Sequence, residues 1–219
     1  MSRVKTIVSL TMLPFLITGI ERLIIAPVVT MFSLPDTSIT LIKVATLTII
    51  LLAISVLTGK SYGLEIPKKL RKVIALALLV LILVSYFFLY SLHIKNVSDS
   101  LAVIHLVNWI IVVFREEFIL RGVIQTKSHE VIRGSLLKIS KAIWFTTLLF
   151  SLWHVVNLSI WPWQTVALQM LSCIPSGLVL GLIKEKTNTL LTYLIHICCD
   201  LFFFSIYLLL FDKLFFALF

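Results

Sequence analysis

Three short runs place ionisable side chains inside stretches that are otherwise apolar. The first is Phe114-Arg115-Glu116-Glu117-Phe118-Ile119-Leu120-Arg121-Gly122. The second is Phe150-Ser151-Leu152-Trp153-His154, with Asn157 one turn further on, and the third is His196-Ile197-Cys198-Cys199-Asp200. Together they hold the groups needed to hydrolyse an amide. A carboxylate deprotonates a water, an imidazole positions it, and hydrogen-bond donors stabilise the oxyanion that forms on the carbonyl. In that scheme Glu116 is the base, His154 positions the water, and His196 with Asp200 frames the oxyanion. Glu117 and Arg121 are four apart with the acid first, the favourable helical order, so they pair on one face as structural support. Glu116 then points about 100° away around the helix and is left for chemistry. A zinc version would use Glu116, His154 and His196 as three ligands with an open position for water. The spacing is not HExxH and no ligand pair shares a helix in that manner, so the reading without a cofactor is favoured.

Elements that could position these residues are written in the composition. Of 219 residues, 60% are hydrophobic and only 13% are charged, too little polar surface to cover a water-soluble domain of this size. The expected fold is all-α, a polytopic transmembrane helix bundle. About 20 apolar residues cross a bilayer, and seven segments qualify: 6–32, 38–58, 73–93, 101–125, 142–160, 164–183 and 189–211. The first is irregular, with Pro14, Pro27 and the pair Glu21-Arg22 inside it. The fourth carries the first charged run.

Loop charges set the expected orientation. The N-terminus and loops 59–72, 126–141 and 184–188 hold 13 of the 19 Lys and Arg residues, and the loops between them hold only Lys95. This alternation places the N-terminus in the cytoplasm. It also accounts for the net charge of +9 without nucleic acid as a partner. The bilayer is the expected partner, and the cell membrane the expected location. Arg3 and Lys5 before an apolar stretch resemble a signal peptide, but no small-residue cleavage site follows, so a retained first span is expected. Cys173, Cys198 and Cys199 show no paired CxxC spacing and read as small buried hydrophobes rather than a disulfide or zinc framework. No internal repeat supports an inverted-repeat transporter.

Depth decides whether the three runs can meet. At 1.5 Å per residue, Glu116 lies roughly 13 Å, His154 roughly 18 Å, His196 roughly 10 Å and Asp200 roughly 16 Å from the cytoplasmic ends of their spans. All four fit one layer near the midplane. Ionisable groups there cost about 2.5–3.5 kcal/mol each, which favours function over packing for the set. Glu21-Arg22, His105 and Asn108 are left open between the two, and His105, eleven residues before Glu116 on the same face, is read as packing.

The pattern Glu116-Glu117-x-x-x-Arg121, Phe150-x-x-x-His154 and His196-x-x-x-Asp200 resembles the three-motif signature of the CPBP family, the CAAX protease and bacteriocin-processing (Abi) intramembrane proteases. The order, separate spans and spacing agree over roughly residues 100–210. The resemblance implies an intramembrane endopeptidase, often labelled a metallopeptidase, acting on a peptide or membrane-protein substrate. It implies that Glu116 activates water together with His154. In the prenyl-protein branch the third motif's His and Asn form an oxyanion site, and here the Asn position is Asp200. An ionised carboxylate would repel an oxyanion, whereas a protonated one could donate to it. Residues 1–98 are read as N-terminal spans unmatched to the family, and 99–219 as the peptidase core. Bacteriocin processing or self-immunity in a bacterial plasma membrane is the expected setting. The alternatives are a non-catalytic immunity or interaction protein, for which Asp200 is the clue, and a cation-coupled carrier.

Overall fold

The computed structural model describes residues 3–20, 22–23, 49, 62–159 and 161–210. In chain order the elements are α1 (Arg3–Ile20), α2 (Arg71–Ile94), α3 (Asp99–Glu117), a π-helix (Phe118–Gln125), α4 (Thr126–Val131), a hairpin of β1 (Ser135–Leu136) and β2 (Ile139–Ser140), α5 (Lys141–Trp153), a 3-10 stretch (His154–Ser159), α6 (Trp163–Lys186) and α7 (Thr189–Leu210). Five stretches are long and apolar enough to cross a bilayer: Arg3–Ile20, Lys68–Ile94, Lys141–Ser159, Trp163–Lys186 and Thr189–Leu210. They fall on the expected first, third, fifth, sixth and seventh spans. The expected fourth span is α3 continued by the π-helix, set apart by its charged run. The expected second span, apart from Ile49, and residues 24–32 with Glu21 lie outside the described residues. Leu76, Ile82 and Leu83 on α2 and Leu168, Leu171 and Val179 on α6 are exposed, a surface suited to lipid rather than water.

Local chemistry explains where the helices start and stop. Pro67 precedes a single 3-10 turn, Lys68–Leu70, that leads into α2, and α2 ends just before Asn96 at φ 60°, where Asn tolerates the left-handed conformation. Asp99 lies in the first turn of α3, where its charge meets the positive end of the helix dipole. Ser140 caps α5 by accepting from the Ile143 N–H at 3.2 Å. Asn188 does the same for α7, its Oδ1 accepting from the Leu191 N–H at 2.8 Å. Both satisfy amides that the helix itself leaves without acceptors.

The described residues form two compact units. One gathers 3–18, 62–64 and 116–192, and the other is built mainly from 65–115 and 193–210. In the first, the glycines of α6 pack directly against side chains of α5. A Cβ placed on Gly177 would stand 2.9 Å from Thr147 Cγ2, and one on Gly181 only 2.7 Å from Ile143 Cγ2. Two glycines four apart clear one face of α6, the small-residue device that lets membrane helices approach closely. Within the same unit the Trp153 indole donates to Thr18 Oγ1 at 2.8 Å, tying α1 to α5. The second unit is joined by aromatic rings: Phe204 of α7 contacts Phe88 of α2 at 5.9 Å and Trp109 of α3 at 5.2 Å between centroids.

Candidate active site

The first motif straddles the junction of α3 with the π-helix. Widened i→i+5 turns are rare and often mark functional sites, and here the wide turn has a packing reason. Gly122 lies against the chain at Tyr62, where an added Cβ would meet the Tyr62 carbonyl oxygen at 3.2 Å. On the same stretch Arg121 and Gln125 reach the carbonyls of Gly177 and Gly181 on α6, at 3.4 and 3.0 Å. The four-residue interval on one helix is thus read by a four-residue interval on the other.

Glu117 and Arg121 are both fully buried, with Arg121 Nε 3.7 Å from Glu117 Oε2. That separation is an ion-pair contact without a good hydrogen bond. The guanidinium also lies 5.3 Å from the centre of the Phe150 ring, close enough for a cation–π attraction. Glu116 is half-buried, and among the described residues no hydrogen bond or ion pair ties its carboxylate.

The second motif lies where α5 gives way to the 3-10 stretch. His154 is the first residue of that stretch, so Asn157, three residues on, stacks directly along the same side. Asn157 is fixed by donating to Gln169 Oε1 of α6 at 3.0 Å. Ser151 donates to the Met170 carbonyl at 2.7 Å. His154 Nδ1 lies 2.9 Å from the Phe150 carbonyl oxygen. A carbonyl only accepts, so Nδ1 carries the proton of this bond, and in the neutral ring Nε2 keeps the lone pair. The Phe150 ring meets the imidazole edge-on at 4.9 Å. Phe150 therefore touches both the Arg121 guanidinium and the His154 imidazole, joining the first motif to the second inside one unit.

Cys173 adds a contact that the spacing of residues did not suggest. It is buried on α6, with Sγ 3.7 Å from Nδ1 and 3.9 Å from Nε2 of His154. All three cysteines are free, but only Cys173 is buried; Cys198 is intermediate and Cys199 exposed. The expectation of three buried small hydrophobes thus holds for Cys173 alone. The outward-facing side of α7 accounts for Cys199.

The third motif belongs to the second unit. His196 is buried and its Nε2 lies 3.6 Å from Asp200 Oδ1, one turn along α7. Tyr193 on the same helix packs edge-on against Phe114 of α3 at 5.3 Å. The structure thus brings Glu117, Arg121, Phe150, His154 and Cys173 into one connected set and pairs His196 with Asp200 in another. His105 and Asn108 lie on α3, both half-buried. Among the described residues no three His, Cys, Asp or Glu side chains gather as a group that could hold a metal ion.

Fold and polar groups define a class: a multi-pass helical membrane protein that keeps a buried acid–arginine pair and histidines within its helices. Residues 98–202 match the family described as Rce1-like, type II CAAX prenyl endopeptidase. That segment carries all three motifs, and the match agrees with the resemblance to the CPBP intramembrane endopeptidases. No curated protein and no solved structure matches the chain.

Proposed function

We propose that the protein is an intramembrane endopeptidase in which Glu116 and His154 activate the attacking water. The observation that carries this reading is the His154 bond to the Phe150 carbonyl at 2.9 Å, which leaves Nε2 as an acceptor for a water proton. The water gives its other proton to the Glu116 carboxylate as its oxygen attacks the scissile carbonyl carbon. The carbonyl π electrons move onto oxygen, and the proton held by Glu116 passes to the departing amine as the C–N bond breaks. His196 is assigned to the oxyanion by its place in the third motif. Asp200 faces His196 Nε2 at 3.6 Å, so its carboxyl has the imidazole as a partner and need not confront the oxyanion. Glu117 and Arg121 hold the base-bearing turn.

The substrate class is a peptide or membrane-associated protein. Bacteriocin processing or self-immunity in a bacterial plasma membrane, with the N-terminus cytoplasmic, is the setting we propose, on the strength of the resemblance and the loop charges. The test is cleavage of a peptide library by the purified protein in detergent. Glu116→Ala and His154→Ala should each lower the rate about 10²–10⁴-fold with the helical signal unchanged. Cleavage undiminished in either would refute the assignment. A well-folded protein that cleaves nothing and protects cells equally well with either substitution would be an immunity protein instead.

A further inference from the structure

The hairpin between α4 and α5 is built from an unfavourable choice of residues. Its strands pair Ser135 with Ser140 and Leu136 with Ile139, leaving Leu137 and Lys138 as a two-residue loop. Both have positive φ, 52° and 64°, the geometry for which Asn-Gly is the ordinary solution. A bulky leucine in that region is strained. The strain is not offset by packing, because Leu136 and Leu137 are 53% and 77% exposed. Arg133, Lys138 and Lys141 are exposed around them.

The position of this tip is set by its neighbours. Lys141 begins the membrane-crossing stretch Lys141–Ser159, so Leu137 lies only four residues from the start of a span. Trp144, in the first turn of that span, is of the type that settles at the bilayer interface. Its indole N–H donates to the Leu136 carbonyl at 3.1 Å, and the Lys141 N–H closes the hairpin base on the Gly134 carbonyl at 3.0 Å. An interfacial side chain is thus bonded directly to the loop that shows two leucines and three cations.

We propose that this hairpin is an anionic-lipid contact, with Leu136 and Leu137 entering the headgroup and acyl boundary while Arg133, Lys138 and Lys141 meet lipid phosphates. Apolar insertion combined with basic residues is the combination that binds charged leaflets. A protein partner at the tip would need acidic groups facing the same three cations, and it is separated from the lipid occupant by the test. The contact is independent of the peptidase reading, since none of its residues takes part in that chemistry.

The full chain, with Cys173, Cys198 and Cys199 replaced by Ala and Leu137→Cys labelled with an environment-sensitive nitrobenzoxadiazole, is reconstituted in nanodiscs with or without phosphatidylglycerol. Dithionite should bleach the label about tenfold more slowly in anionic nanodiscs than in the unfolded protein. Each of Arg133→Gln, Lys138→Gln and Lys141→Gln should weaken the anionic preference about fivefold. A label bleached as fast in every bilayer as in the unfolded chain would overturn the proposal, and with it leave a protein partner as the occupant. Leu137→Asn gives a second readout, because it relieves the turn. It should hold or raise the melting temperature in detergent and lower it in phosphatidylglycerol vesicles, whereas a gain in both would overturn the proposal.

Discussion

The closeness of α5 and α6 can be tested by adding one methyl group. In Gly181→Ala the new carbon would stand 2.7 Å from Ile143 Cγ2, well inside the roughly 3.5–4.0 Å at which carbon atoms attract. Overpacking of this kind costs about 1–3 kcal/mol, offset by about 1 kcal/mol from replacing glycine with alanine in a helix interior. The expected net loss is about 0–2 kcal/mol. Ile143 is fully buried, and Ile143→Ala alone should cost about 2–5 kcal/mol. When both changes are made, the closest Ile143 atom left is Cβ, at 3.5 Å, and the added methyl fills part of the space. The double variant should therefore be more stable than the sum of the singles by about 1–3 kcal/mol. Reversible unfolding in mixed micelles, followed by tryptophan fluorescence, measures all four corners of this cycle. Additivity to within about 0.5 kcal/mol would show that the two helices do not touch at this point. The Gly181 carbonyl accepts from Gln125 and that of Gly177 from Arg121. Peptidase activity should accordingly fall in Gly181→Ala and recover in part when Ile143→Ala is added.

Removing Arg121 takes a buried counter-charge away from Glu117, so Arg121→Leu should cost about 3–5 kcal/mol. Glu117→Leu combined with Arg121→Leu should recover much of that loss, as read by the same unfolding assay. Asn188→Ala removes the side-chain acceptor of the Leu191 amide and should destabilise α7 by about 1 kcal/mol; amide exchange at Leu191 should accelerate while that of the central α7 amides is unchanged.

Much of this architecture was legible because apolar runs and buried charges are costly to misplace. Five of the Leu-, Ile- and Val-rich stretches fall on helices long and apolar enough to cross a bilayer, and the fourth stands apart by Glu116, Glu117 and Arg121. Features that depend on distant segments were not legible. The π-helix answers to Gly122 against Tyr62 and to the reach of Arg121 and Gln125 towards α6, none of which is encoded in local periodicity. A straight α-helix was expected through His154, whereas the structure changes to 3-10 geometry at that residue and stacks Asn157 beneath it. Cys173 gave no local sign of its contact with His154, since the two lie on different elements. The four-residue interval between Gly177 and Gly181 is a local mark of close helix packing, and it is where α6 meets α5. The Leu-Lys turn was opaque for the opposite reason, since its residues argue against the conformation they adopt.

Cys173 beside His154 also supplies the sharpest rival to a water mechanism, because a thiol next to an imidazole is the arrangement of a cysteine nucleophile. The most direct measurement is therefore the cleavage rate of one reconstituted peptide substrate by Cys173→Ala and by Glu116→Gln, each verified as folded. Glu/His-activated water predicts that Cys173→Ala still cleaves and that Glu116→Gln falls about 10²–10⁴-fold. Cleavage retained by Glu116→Gln and abolished in Cys173→Ala would contradict it.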